Sequence, residues 1–144
     1  MLALDSLEKY GFTLAKLSQA AVERLRPLWP AWSSPSNPVD MMSPGIMHGY
    51  KQAYQESLKA LLEDPGVDVI LAIAGIPTLK TVKEALSDTK KPVATWVIGP
   101  WKEDLLARLE EVNYRAVYPT PERALRALAA LREFTAGKQR AATE

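Results

Sequence analysis

The sequence predicts an α/β fold in three layers, with a parallel sheet of about four strands between two layers of helices. Residues 65–75, PGVDVILAIAG, and residues 91–99, KPVATWVIG, carry this prediction. Each combines a turn signal, a short apolar run rich in Val and Ile, and a closing Gly, which is typical of strands buried on both faces. Between them Leu79, Val82 and Leu86 recur at helical spacing, so the three segments form one βαβ unit.

The composition suits a single domain, which we place over residues 1–137, with a disordered tail over 138–144. A net charge of +1 gives no field that attracts polyanions, so nucleic acid is not an expected partner. The chain has no Cys, which excludes disulfides and thiolate chemistry. It shows neither an apolar leader nor a run of membrane-spanning length, so we expect no membrane partner and a cytoplasmic location.

Three elements are predicted before the strand of residues 65–75. Apolar spacing over residues 2–10 predicts a short helix that Gly11 ends. Residues 12–17 alternate only roughly and predict a strand near the sheet edge. Ser18 is a good N-cap for the next helix, which Pro27 should kink or end.

A long loop is predicted over residues 29–49, because this stretch is rich in Pro, Ser and Asn and has no sustained hydrophobic period. Loops of this length in a compact domain are usually functional or disordered, which makes this one the best site candidate. An amphipathic helix from Tyr50 then ends at Asp64, just before Pro65.

The second half of the chain continues the alternation of helix and strand. Leu105 and Leu109 predict a helix after the second strand, and residues 115–118 predict a short strand. Thr120 is a good cap for the last helix, which we expect to end at Gly137. The predicted inward stripe of that helix is Ala124, Ala127, Leu128, Leu131 and Phe134.

Residues that carry chemistry are few. His48 is the only histidine and has no predicted partner, so we interpret it as an ordinary loop residue. We assign no catalytic residue, metal site or cofactor, because metal-ligand spacing, a Gly-rich phosphate loop and a Gly-x-Ser-x-Gly elbow are all missing. The loop residues Asn37, Pro38, Val39 and Asp40 remain. They are either turn formers or the contacts of a ligand or a neighbouring domain at the carboxyl ends of the strands.

The four tryptophans divide into two groups. Trp96 lies inside a predicted strand and is interpreted as core. Trp29, Trp32 and Trp101 lie at the ends of elements, where partial exposure would indicate an interface.

Five stretches resemble one family in order, over about residues 3–136: DSLEKYGFTLAKLS, SNPVDM, ALLEDPGVDVILAI, KPVATWVIG and YPTPERALRALAALREF. They are similar to the C-terminal, flavodoxin-like domain of the alpha region of NDP-forming acyl-CoA synthetases, which are relatives of succinyl-CoA synthetase. The resemblance implies a flavodoxin-like fold of the succinyl-CoA synthetase type. It also implies a part in converting acyl-CoA, ADP and phosphate into acid, CoA and ATP through a phosphohistidine.

The same resemblance implies that the chain is inactive alone. The family's catalytic His stands in a Ser-His-Thr-Gly context that His48 does not match, so that role is not carried over. The CoA-binding and ATP-grasp portions of the ligase are then the expected partners. The resemblance places the start of the chain inside the family's first helix, with Met1 to Leu4 where the preceding turn should end, so the first strand of the fold is expected to be missing. A homo-oligomer is the other expected way to cover the gap. The alternative function is a stand-alone flavodoxin-like interaction or small-ligand-binding module without catalysis.

Overall fold

The structure is a computed structural model that describes residues 2–86, 89–99, 105, 109, 111 and 116–141. The helices whose ends lie within these residues are α1 (Leu2–Leu7), α2 (Gln19–Leu25), α3 (Met42–His48), α4 (Tyr50–Glu63), α5 (Leu79–Ala85) and α6 (Pro121–Ala141). The strands are β1 (Ile70–Gly75), β2 (Val93–Ile98) and β3 (Val117–Tyr118). Short 3-10 turns at Glu8–Tyr10, Arg26–Leu28 and Ile76–Thr78 extend α1 and α2 and precede α5.

Within the described residues the sheet has three parallel strands in the order β1-β2-β3. β1 pairs with β2 in register from Ile70 opposite Val93 to Gly75 opposite Ile98. The helix α5 connects these two strands, which confirms the predicted βαβ unit. β3 is short and pairs with the middle of β2.

Helices cover both faces of the sheet. On one face α4 and α5 pack against alternate side chains of β1, together with Leu105 and Leu109. On the other face Ala124 and Leu128 of α6 pack against Ala94, with Leu71 and Phe12 beside them. Separately, α2 packs on α4 through Leu17, Ala21, Leu25, Leu28 and Ala60. The three-layer α/β arrangement is therefore the predicted one.

Several predicted helix ends are confirmed. Gly11 follows the first helical segment with φ +68° and donates its N–H to Glu8 O, a conformation that favours glycine. The Ser18 hydroxyl accepts a hydrogen bond from Ala21 N at 3.2 Å and caps α2. Pro27 lies in the 3-10 turn that ends this helix.

The predicted strand over residues 12–17 is wrong, because the structure assigns no strand there. Phe12 packs with the α6 side of the sheet, whereas Leu17 packs with α2. The segment therefore crosses from one helical layer towards the other instead of running along a neighbouring strand. The carbonyl oxygen of Ala15 accepts the side-chain amide of Asn37 rather than a backbone N–H.

Two other predictions need correction. The predicted loop over residues 29–49 contains the helix α3. The last helix continues through Gly137 to Ala141, so 138–141 are helical, while 142–144 lie outside the described residues. In its predicted stripe Leu131 and Phe134 are 45% and 61% exposed, and Leu125 is buried instead.

The predicted helix after the second strand falls largely outside the described residues. Leu105 and Leu109 are helical and buried there, but Trp101, Lys102 and Val112 are not described. In the part of the chain that is described, no helix combines the length and the apolar character needed to cross a membrane.

Candidate domain-interface site

The predicted loop motif uses its polar side chains locally. The Asn37 side-chain amide donates to Ala15 O at 2.9 Å, and the peptide bond between Asn37 and Pro38 is cis. Asp40 is exposed, and its Oδ1 accepts the Met42 N–H at 2.8 Å, as in an Asx turn. Val39 packs against the α2–α4 cluster. These contacts fit the turn-forming interpretation of both polar residues.

Asn37 does not lie at the carboxyl end of the sheet, where contact with a ligand or a neighbouring domain was the alternative prediction. The Asn37 side chain bonds to Ala15. The carbonyl oxygen of the next residue, Lys16, lies 3.5 Å from the position that a Cβ atom of Gly66 would occupy. Gly66 comes before β1 along the chain, so these contacts lie beside the amino end of β1. Asn37 therefore lies away from the edge at which open α/β sheets usually bind ligands.

His48 is the last residue of α3 and is exposed. Across the described residues, no group of three or more His, Cys, Asp or Glu side chains is placed to hold a metal ion.

A buried carboxylate, Asp64, joins three elements at the amino end of β1. It is 2% exposed, and its two oxygens accept the N–H of Ser18 at 2.7 Å and of Gly66 at 2.9 Å. Lys91 Nζ donates to the backbone carbonyls of Asp64 and Leu61, which end α4. Asp64 thus ties the start of α2, the end of α4 and the turn before β1 together.

The charge of Asp64 is stabilised by these contacts. Burial alone would raise the pKa of this carboxyl group, but the hydrogen bonds from Ser18 and Gly66, and the nearby Lys91 charge, lower it below its ordinary value. From the sequence, Asp64 was predicted only to end the helix that starts at Tyr50. The Asp-Pro-Gly string after a helix was the available signal, since an Asp there can accept N–H groups of the turn that follows.

At the carboxyl half of β1, Tyr54 reaches the strand from α4. Its hydroxyl donates to Ile73 O. Burial raises the pKa of the Tyr54 phenol, the Thr78 hydrogen bond lowers it and the neighbouring Tyr50 raises it, with a net rise. Nothing in the sequence indicated this contact.

A cavity of about 660 Å³ lies beside the free edge of β1, and we call it the β1-edge groove. Residues 68–71 and Ile73 of the strand region form one wall, and Leu7, Leu125 and Leu128 of α1 and α6 form the other. Residues 11–15 and Asn37 also line the groove. The groove is mostly apolar, and a solvent-filled apolar groove of this size is a typical binding surface.

Apolar side chains extend from this groove over the carboxyl end of the sheet. Ile73 and Trp96 are cross-strand neighbours and both line the groove. Ile73 is 38% exposed, and Ile98 at the end of β2 is 54% exposed. Trp96, which we interpreted as core, is only half-buried. Trp29 is also half-buried and Trp32 is 82% exposed, and such exposure would indicate an interface, while Trp101 lies outside the described residues.

Two known proteins similar to this chain are both named as ADP-forming acetate-CoA ligases. Acetate-CoA ligase (ADP-forming) II subunit alpha of Pyrococcus furiosus is 31% identical over 135 residues, which cover 85% of this chain and 28% of the relative. Acetate-CoA ligase (ADP-forming) I of Archaeoglobus fulgidus is 27% identical over 137 residues, covering 94% of this chain and 19% of the relative. This chain is related to the ADP-forming acetyl-CoA synthetases. The predicted resemblance to the alpha region of that family is confirmed.

Two solved structures have a fold similar to that of this chain. The crystal structure of PH0766 from Pyrococcus horikoshii is 30% identical with a TM-score of 0.72, covering 90% of this chain and 32% of the other. An apo dinucleotide forming acetyl-coenzyme A synthetase 1 of Candidatus Korarchaeum cryptofilum has a TM-score of 0.71 at 23% identity, covering 96% of this chain and 31% of the other. This second likeness shows the flavodoxin-like fold. No family model matches the chain.

The chain therefore spans less than a third of the length of each of these relatives. In each relative, more than two thirds of the chain lies outside the segment that matches this chain.

Proposed function

We propose that this chain is a domain or subunit of an ADP-forming acyl-CoA synthetase, working together with portions that bind CoA and nucleotide in the cytoplasm. The observation that carries the proposal is the coverage: the match takes in 85% of this chain but only 28% of the Pyrococcus furiosus alpha subunit. The complete reaction would convert acyl-CoA, ADP and phosphate into acid, CoA and ATP. This chain would contribute a scaffold and an interface to it.

The geometry supports a positioning role. The polar side chains of the predicted loop motif are occupied with backbone groups, Asn37 with Ala15 and Asp40 with Met42. The larger free surface is apolar and follows the edge and carboxyl end of the sheet through Ile73 and Ile98. Apolar surface of this kind suits a contact between domains better than it suits acid-base chemistry.

A replacement experiment tests the proposal. In the Pyrococcus furiosus alpha subunit, the 135 matched residues would be exchanged for this chain, and the product combined with the rest of that ligase. ATP formation from acetyl-CoA, ADP and phosphate is the readout. We expect measurable activity from the chimaera and none when a Gly-Ser linker replaces the same residues. A chimaera no more active than the linker version contradicts the proposal.

The isolated chain provides the second arm. Incubated with labelled ATP, or with acyl-CoA and labelled phosphate, it should form no ATP and take up no label. A base-stable, acid-labile label that disappears in His48→Ala would instead assign the chain a phosphoryl-carrying function of its own. Such a result would overturn the scaffold role, whatever the chimaera does.

A further inference from the structure

The helix α3 has one side packed on the domain and one apolar side exposed. Met42, Ile46 and Met47 are 64%, 74% and 54% exposed. At 3.6 residues per turn these three side chains lie within an arc of about 140°. The buried residues Pro44 and Gly45 lie on the opposite side of the helix. We call the side formed by Met42, Ile46 and Met47 the α3 face.

The α3 face is held in a fixed position by contacts between α3 and α4. A Cβ atom on Gly45 would stand 2.4 Å from the Tyr50 ring, so this ring lies directly on the backbone of α3. Gly49 joins the two helices with φ +84°, a conformation that favours glycine, and its N–H donates to Gly45 O at 3.0 Å. A surface that is fixed in this way loses little free energy to ordering when it binds.

The exposed area is close to what a contact between two copies needs. Tyr50 is 46% exposed and adds apolar surface beside Gly45. At about 200 Å² for a fully exposed residue, the exposed fractions of the α3 face and Tyr50 give about 500 Å². A contact of this surface with itself would bury twice that area, about 1,000 Å², which is the lower limit for a specific protein interface. The two methionines can adapt their shape to such a contact.

The charges around the α3 face favour a second copy of this chain as the partner. Residues 41–50 contain no Asp, Glu, Lys or Arg, so two such surfaces meet without repulsion between like charges. Asp40 precedes this stretch and Lys51 follows it, and both are exposed. When the two copies of α3 run antiparallel, Asp40 lies at the same end of the contact as Lys51 of the partner subunit. A parallel arrangement would instead place Asp40 beside Asp40 of the partner subunit.

We propose that the α3 face binds a second copy of this chain, in a two-fold dimer whose α3 helices pack antiparallel. Ile46 lies near the middle between Asp40 and Lys51, so it contacts Ile46 of the partner subunit across the two-fold axis. The proposal gives the homo-oligomer expected from the sequence a surface other than the gap in the sheet. It does not rest on the proposed function and can fail while the ligase role holds.

Sedimentation velocity of the full chain measures the dimer. Because the interface is small, the mass should rise from one chain to two between about 1 µM and about 500 µM. Ile46→Lys places two ammonium groups together at the axis and should raise the dissociation constant at least about tenfold. Phe134→Lys is the matched control, since Phe134 on α6 is 61% exposed and lies outside the α3 face, and it should dimerise as the wild type does.

A pair of charge variants tests the antiparallel arrangement. Asp40→Lys alone and Lys51→Glu alone each bring like charges together in the dimer, so each should raise the dissociation constant at least about fivefold. In a mixed dimer of the two variants, both contacts join opposite charges. An equimolar mixture should therefore return to the wild-type mass, which general stickiness of an apolar surface would not produce.

The absence of Cys from the chain allows a direct test of which surfaces meet. Ile46→Cys places two thiols next to each other at the two-fold axis. A short bismaleimide should join these thiols at least about tenfold more than those of Phe134→Cys at the same protein concentration. This measurement follows cross-linked dimer on a denaturing gel and does not depend on how strongly Ile46→Lys perturbs the helix.

Four outcomes overturn the proposal. A mass of one chain over the whole concentration range would remove the dimer. A dimer as stable in Ile46→Lys as in the wild type, or cross-linking of Phe134→Cys equal to that of Ile46→Cys, would place the contact elsewhere. Charge variants that stay monomeric when mixed would exclude the antiparallel arrangement.

Discussion

The amino end of β1 and its free edge lie side by side, yet they are built in opposite ways. At the amino end, Asp64 is buried with both carboxylate oxygens hydrogen-bonded to N–H groups of the chain. Along the edge, apolar side chains such as Ile73 are partly exposed beside backbone groups that no strand meets in the described structure. The first region contributes stability to the isolated chain, because its polar groups are satisfied internally. The second leaves apolar surface of the kind that a partner covers.

The largest expected effect comes from breaking the junction at Asp64. Asp64→Ala leaves the N–H groups of Ser18 and Gly66 without their acceptor and should lower the free energy of unfolding by about 3 kcal/mol. Urea denaturation followed by circular dichroism measures it. Asp68→Ala is the matched control, because Asp68 is exposed, and it should change the stability by less than about 0.5 kcal/mol. Equal effects of the two substitutions would mean that the junction is not a stabilising element.

The second prediction concerns pH. Because the pKa of Asp64 is lowered in the folded chain from its ordinary 3.8, its ionisation adds stability that is fully present above that value. The contribution is lost as the pH falls through the lower, folded pKa. The stability difference between wild type and Asp64→Asn should therefore shrink as the pH is taken below about 4. A difference that stays constant down to the acid transition would contradict the charge-based account.

The same two regions show what sequence could and could not predict. The βαβ unit was predictable because 65–75 and 91–99 are uninterrupted apolar runs between turn signals, and local pattern decides such strands. The predicted strand over residues 12–17 failed because a strand needs a neighbour, and no described strand meets this segment. The junction at Asp64 escaped prediction because Ser18 lies 46 residues away, and long-range hydrogen bonds leave no periodic signal.

Exposure along a helix was similarly hard to predict. Leu131 and Phe134 continue the apolar spacing of α6 but lie beyond the part of the helix that covers the sheet, so they remain exposed. Spacing shows which residues share a side of a helix. It does not show where the partner surface ends.

The third prediction tests the junction from its other side. Ser18→Ala removes the side chain that accepts the Ala21 N–H, while the backbone N–H of Ser18 can still reach Asp64. Loss of an N-cap of this type costs about 1 kcal/mol, so the effect should be smaller than that of Asp64→Ala. Ser36→Ala is the control at an exposed position and should leave the stability unchanged. A loss as large as that of Asp64→Ala would show that the two groups act as one unit.

The smallest expected effect on stability belongs to the free edge. Ile73 is 38% exposed, and a Lys at that position can lay its methylene chain on the groove wall and keep its ammonium group in water. Ile73→Lys should therefore lower the free energy of unfolding by less than about 1 kcal/mol, close to the effect of Ile46→Lys on α3, where the side chain is 74% exposed. Urea denaturation of the monomeric chain measures this. A loss of about 3 kcal/mol, equal to that of Asp64→Ala, would mean that the edge already stabilises the isolated fold, and the contrast between the two regions would not hold.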